Sequence, residues 1–239
     1  MIKLFADGAD MNGIIEAAAN PNIVGFTTNP TLMRQAGVTD YVDFAKTAIK
    51  YLAEQRPGTS LSLEVFADDY ENMLTQARII DLWGDEFGYD VYVKIPVMNT
   101  KSSPSYGLIS QLSGEGIKVN VTAVFTVDQI KNVLDNLRND VPAIVSVFAG
   151  RIADAGVDPM PIIETGLQMR DVDSAIDFLW ASTREAYNFV QANECGCDII
   201  TMTPDLIKKM KNFGKDLTQY SLETVKMFYD DSVKSRYVI

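Results

Sequence analysis

The chain has 239 residues, 47% of them hydrophobic, enough apolar material for one α/β domain with a large core, and no stretch reads as a linker. Its net charge of −11, without a basic run, repels nucleic acid and anionic membranes, and no apolar run approaches a membrane span, so neither is an expected partner. Histidine is absent and Cys195 and Cys197 are the only cysteines, which excludes His-based triads and leaves no adequate ligand set for a metal.

Any chemistry must therefore come from Lys, Asp, Glu, Thr, Ser or Tyr. The segment from Met1 to Asp7 lacks the long apolar core of a signal peptide, so a cytoplasmic protein is the expectation. Ile2 to Ala6 is the first predicted strand, with Ile2, Leu4 and Ala6 on one face and Asp7 on the other. An amphipathic helix over Met11 to Ala19 leads to a second strand, Ile23 to Thr28, which ends at Asn29. Tyr41 to Glu54 is helical, and in the strand Leu61 to Phe66 the apolar Leu61, Leu63 and Val65 oppose Ser62 and Glu64. Glu71 to Trp83 is helical, and in Val91 to Val97 the apolar Val91, Val93 and Ile95 oppose Lys94. In Val119 to Phe125, Val119, Val121 and Ala123 oppose Asn120 and Thr122. A helix over Val127 to Leu137 precedes the strand Ala143 to Phe148, where Val145 and Val147 oppose Ser146. Pro161 to Met169 is helical, Ala175 to Ala181 is a strand, Arg184 to Asn193 is helical and Ile199 to Met202 is the eighth strand.

Eight strands alternating with helices, in a chain near the usual size of about 250 residues, predict a single-domain (β/α)8 TIM barrel over residues 1–239, with an open doubly wound sheet as the alternative. Beyond a helix at Pro204 to Lys211, residues 217–234 form a surplus C-terminal helix, with Leu217, Tyr220, Val225 and Phe228 as its contacts. It either caps the barrel bottom or packs on a neighbouring subunit, and a homo-oligomer is expected.

In a barrel the apolar strand faces meet the helices, so Asp7, Asn29, Glu64, Lys94, Asn120, Thr122 and Ser146 point inward, mostly late in their strands, toward the end where barrel active sites lie. Lys94 stands out because an ammonium is among the groups least often buried, and desolvation is how proteins make lysine a nucleophile. These groups could instead satisfy one another as a structural network. The convergence of several charges in one core favours a functional site. Arg151 and Arg184 follow late strands in an acidic chain, and loops there commonly bind phosphate, so Arg151, Ser182 and Arg184 are expected to clamp one.

Gly25-Phe26-Thr27-Thr28-Asn29-Pro30-Thr31, Val93-Lys94-Ile95-Pro96-Val97, Val119-Asn120-Val121-Thr122 and Phe148-Ala149-Gly150-Arg151-Ile152 together resemble the transaldolase family, including its short members and the fructose-6-phosphate aldolases. The resemblance spans Leu4 to Thr203. It implies a barrel enzyme in which Lys94 forms a Schiff base with the ketone of a sugar phosphate, with no metal or organic cofactor. By the family pattern Asp7 takes the proton from the hydroxyl whose carbon–carbon bond breaks, and Glu64 and Thr122 shuttle protons through a water. Asn29, Asn120 and Ser146 hold the three-carbon fragment, with Thr27 and Phe148 also among the substrate-binding positions. The aldolases typically carry Gln, Tyr and Lys where this chain has Glu64, Phe148 and Arg184, so the resemblance favours a transaldolase, with a fructose-6-phosphate aldolase and a catalytically silent sugar-phosphate-binding barrel as alternatives.

Overall fold

The short aliphatic and β-branched runs form eight parallel strands that close on themselves: β1 (Lys3–Asp7), β2 (Ile23–Thr27), β3 (Ser60–Glu64), β4 (Asp90–Pro96), β5 (Val119–Val124), β6 (Ala143–Val147), β7 (Ile176–Trp180) and β8 (Ile199–Met202). The computed structural model describes residues 2–238. β1 pairs with both β2 and β8, which rules out the open sheet and establishes the (β/α)8 barrel. Among the described residues, no helix is long and apolar enough to cross a membrane.

Alternation divides the core in two. The outward side chains Leu61, Leu63, Val91, Val93 and Ile95 pack with Ala45, Ile49 and Leu52 of α3 (Tyr41–Gln55) and Ala77 and Ile80 of α4 (Tyr70–Phe87). Each such aliphatic side chain removed from water contributes about 1.5–3 kcal/mol. A separate apolar cluster of Phe5, Ile144, Leu179, Ala181 and Ile199, with Tyr92 and Phe148 against it, lies inside the barrel. Gly25 belongs to that interior, since a Cβ there would lie 2.4 Å from the Phe5 ring. The polar groups are stacked on this apolar plug.

The remaining helices are α1 (Met11–Ala18), α2 (Pro30–Gln35), α5 (Tyr106–Gly114), α6 (Val127–Leu134), α7 (Ala149–Asp154), α8 (Met160–Met169), α9 (Asn188–Glu194), α10 (Pro204–Lys209) and α11 (Leu217–Ser235). Three of them, α2, α5 and α7, are additions to the expected set. The helix expected from Arg184 begins only at Asn188, because the Asn188 side chain accepts hydrogen bonds from the backbone N–H groups of Arg184 and Glu185 and holds them in a loop. Ala123 does not extend the outward row of Val119 and Val121. It adopts φ 58°, the β5–β6 register shifts between Val121 and Val124, and Val124 takes the outward buried position. None of the residues of α11 is buried, so the surplus helix does not cap the barrel floor.

Candidate active site

Lys94 is 7% exposed, near the carboxyl end of β4, with Glu64 as its register partner on β3 and Asn120 on β5. Its Nζ donates to the Thr28 carbonyl at 2.8 Å, and Glu64 Oε2 lies 3.6 Å away, an ion pair too long for a strong hydrogen bond. The ammonium is thus desolvated but not locked onto a carboxylate.

Asp7, at the end of β1, accepts a hydrogen bond from Thr27 Oγ1 at 2.8 Å. Burial pushes its carboxyl above the ordinary value and outweighs the Lys94 charge and the hydrogen bonds from Thr27 and Asn29 that pull it down. Glu64 is raised too, by burial first, with the Lys94 charge opposing and the Asp7 charge adding to the rise. Both carboxylates hold a proton more tightly than exposed ones would. Asn29 sits where β2 hands over to α2, and its side-chain oxygen caps that helix by accepting from the Leu32 N–H at 3.0 Å.

On the other side the groups are neutral. Ser146 Oγ donates to Asn120 Oδ1 at 2.6 Å and Asn120 Nδ2 donates to Ser62 Oγ at 3.0 Å, which fixes the orientation of the amide. Thr122 Oγ1 is buried and has no protein partner, leaving its hydroxyl available to a substrate or water. An enclosed primary amine beside two carboxylates of raised proton affinity is equipped to add to a carbonyl and to move protons around it.

The expected phosphate end is differently wired. Arg151, on α7, lies over the Phe148 ring at 5.4 Å from its centroid. Arg184 is occupied by Asp154 of the same short helix, with Nη2 to Oδ2 at 2.5 Å and Nε to both oxygens at 3.0 and 3.1 Å. The hydrogen bonds from Arg184, aided by the more distant charge of Arg151, hold the Asp154 carboxyl below its usual value, and among the described residues Asp154 is paired with Arg184 alone. Ser182 adopts φ 64°, and its carbonyl is pressed against Gly150, where a Cβ would come within 1.6 Å of that oxygen. Only glycine permits the β6–α7 turn to approach this loop so closely.

Sequence reading put Ser62 on the polar face of its strand without giving it a role, and it missed Asp154, Tyr41 and Thr201. Ser62 and Thr201 carry the same signal as Asn120, a polar residue at an inward strand position. Tyr41, whose hydroxyl donates to the Glu64 carbonyl at 2.8 Å, and Asp154 act across the fold and left no local pattern.

The fold and the position of these groups define a (β/α)8 barrel that carries its polar machinery at the carboxyl ends of the strands. A solved structure of thiamine phosphate pyrophosphorylase from Pyrococcus furiosus superposes with a TM-score of 0.51 at 12% identity, covering 84% of this chain and 85% of that one, a likeness of fold alone. Residues 4–238 match the Transaldolase/Fructose-6-phosphate aldolase family, and the chain belongs to that family. A "Probable transaldolase" of Dehalococcoides mccartyi is 31% identical over 210 residues, 87% of this chain and 90% of the relative. Another of that name, from Bdellovibrio bacteriovorus, is 32% identical over 239 residues, 98% and 99% of the two chains. Family and relatives make the protein an enzyme of the aldolase and transaldolase type.

Proposed function

We propose that the protein is a transaldolase, moving a dihydroxyacetone unit from a ketose phosphate, fructose 6-phosphate or sedoheptulose 7-phosphate, to an aldose phosphate through a Schiff base on Lys94. The observation that carries this reading is the enclosed Lys94 amine with Glu64 at 3.6 Å, in the same barrel mouth as Asp7 and the unpartnered Thr122 hydroxyl. Lys94 must first lose its proton, and Glu64, made more basic by burial, is the nearest acceptor. The neutral amine attacks the ketone carbon, and Glu64 and Thr122 pass protons as the carbinolamine expels water. The protonated imine accepts the electron pair when the carbon–carbon bond breaks, and Asp7 takes the hydroxyl proton of the departing aldose phosphate. Asn29, Asn120, Ser146 and Thr27 line the three-carbon end, and the enamine retained on Lys94 then adds to the acceptor aldehyde.

Glu64 and Phe148 support the transferase over the aldolase reading. Fructose 6-phosphate supplied with erythrose 4-phosphate should turn over, and fructose 6-phosphate alone should give little free dihydroxyacetone. Equal rates with and without acceptor would make the protein an aldolase.

The phosphate is read as binding between Arg151, Ser182 and Arg184. Arg184 must leave Asp154 to engage it, which offsets part of its gain, whereas Arg151 has no such pair to break. Arg151→Ala should therefore raise KM for the phosphorylated donor by roughly 10- to 100-fold, the equivalent of a charged hydrogen bond, and Arg184→Ala by less. Steady-state kinetics on both variants checks the order.

The proposal includes self-association through α11. Its charged and amide residues Gln219, Glu223, Lys226, Asp230 and Lys234 form one stripe, while Leu217, Tyr220, Val225, Phe228 and Tyr229 are exposed around the rest. Another copy offers an identical apolar helix. Light scattering should give a mass above 26.5 kDa, reduced to that of the monomer by Val225→Glu with Phe228→Glu. A wild-type monomer would refute the assembly.

A further inference from the structure

Asp7 has a second layer of support from the far side of the barrel seam. Thr27 Oγ1 lies 2.8 Å from Asp7 Oδ1 and 2.5 Å from Thr201 Oγ1, with Thr27 3% and Thr201 5% exposed. A hydroxyl has one proton, and an ionised carboxylate only accepts. Thr27 therefore spends its proton on Asp7, and the proton between the two threonines belongs to Thr201. The order of donation is fixed: Thr201 to Thr27 to Asp7. Thr201 is held in turn by its own strand, whose carbonyl at that residue accepts from Thr183 Oγ1 at 3.2 Å.

We propose that Thr201 is a positioning residue which, through Thr27, aligns and strengthens the hydrogen bond that holds the Asp7 carboxylate for proton transfer. This rests on the role given to Asp7 above. A hydroxyl that accepts a hydrogen bond becomes a better donor, so the Thr201 proton polarises Thr27 toward Asp7. The other groups facing Asp7 are Lys94 from β4, Glu64 from β3 and Asn29 from the start of α2. Lys94 and Glu64 act by charge and partly cancel, so the threonine pair is a separate contribution from the neighbouring β2 and β8.

Thr201→Val keeps the shape and removes the hydroxyl. The acid limb of its kcat/KM profile should move to higher pH, with roughly a threefold loss of kcat/KM below the wild-type midpoint. Thr201→Ser should restore the wild-type profile. Direct titration of Asp7 by carboxyl 13C NMR, assigned by the signal lost in Asp7→Asn, should move in the same direction as the kinetics. An unshifted NMR midpoint in a folded Thr201→Val protein would overturn the relay, as would a Thr201→Ser profile no nearer to wild type. An NMR shift with wild-type turnover unaffected by pH in that range would leave the relay standing and refute the role of Asp7 instead.

Discussion

Lys94→Met should abolish turnover and covalent trapping together. With fructose 6-phosphate and borohydride, the wild-type chain should gain the mass of a reduced substrate-derived adduct, and the variant should gain none. Loss of the group that forms the covalent bond should cost roughly 10⁴- to 10⁶-fold in kcat. Methionine keeps most of the volume, so the fold should survive. The Thr28 carbonyl loses its donor, and this unpaired buried acceptor costs about 1–3 kcal/mol, set against relief from burying a charge. The specificity of the label follows from burial. The side chain of Lys94 is 8% exposed and 3.6 Å from its carboxylate, whereas those of Lys3, Lys46 and Lys208 are 51%, 38% and 59% exposed and lie on carboxylates at 2.6, 2.7 and 3.0 Å. An adduct that persists in Lys94→Met would move the chemistry to another lysine. No adduct on the wild type would favour a silent sugar-phosphate-binding barrel.

What made Lys94 legible was strand alternation. A period of two assigns each side chain to a face, so a charge among Val91, Val93 and Ile95 was displaced inward with the polar groups of neighbouring strands. The same rule located the barrel itself, because its strands are short, parallel and regularly interrupted by helices. It failed where the backbone leaves the regular path: Ala123, at positive φ, breaks the row that Val119 and Val121 begin. The helices α2 and α7 have six residues each, too few to display a period. In α5 the buried Leu108, Ile109 and Leu112 do carry a helical spacing, obscured by Gly107 and Gly114 at its ends. The two arginines of the proposed phosphate end were legible from their places after late strands, although Arg151 lies in α7 rather than in a loop. The wiring of that end was not, since Asp154 and Arg184 meet across 30 residues of sequence, and pairing at that range is a product of the closed barrel rather than of any local pattern.

Asp7→Asn should separate activity from stability. If Asp7 accepts the proton during bond cleavage, the amide should lower kcat by about 10²- to 10⁴-fold while leaving imine formation intact. Borohydride should then trap the whole donor sugar on Lys94, where the wild type accumulates the three-carbon fragment, and mass spectrometry distinguishes the two. In stability the effect should reverse. Burial raises the Asp7 carboxyl in the folded chain, so the native state binds this proton more tightly than the unfolded state does. The associated stability is present in full below the unfolded value, near 3.9, and is lost as pH rises through the folded value. Once the carboxyl is ionised, as its role as proton acceptor in the reaction requires, the wild type has lost it. The permanently neutral amide of Asp7→Asn avoids that loss, while its oxygen can still accept from Thr27. The variant should melt above the wild type at pH 7, with the gap closing as pH falls toward 4. A variant less stable at pH 7 would mean that the attraction between Asp7 and Lys94 outweighs the desolvation of the carboxylate, and that the fold is held together by the charge the reaction uses.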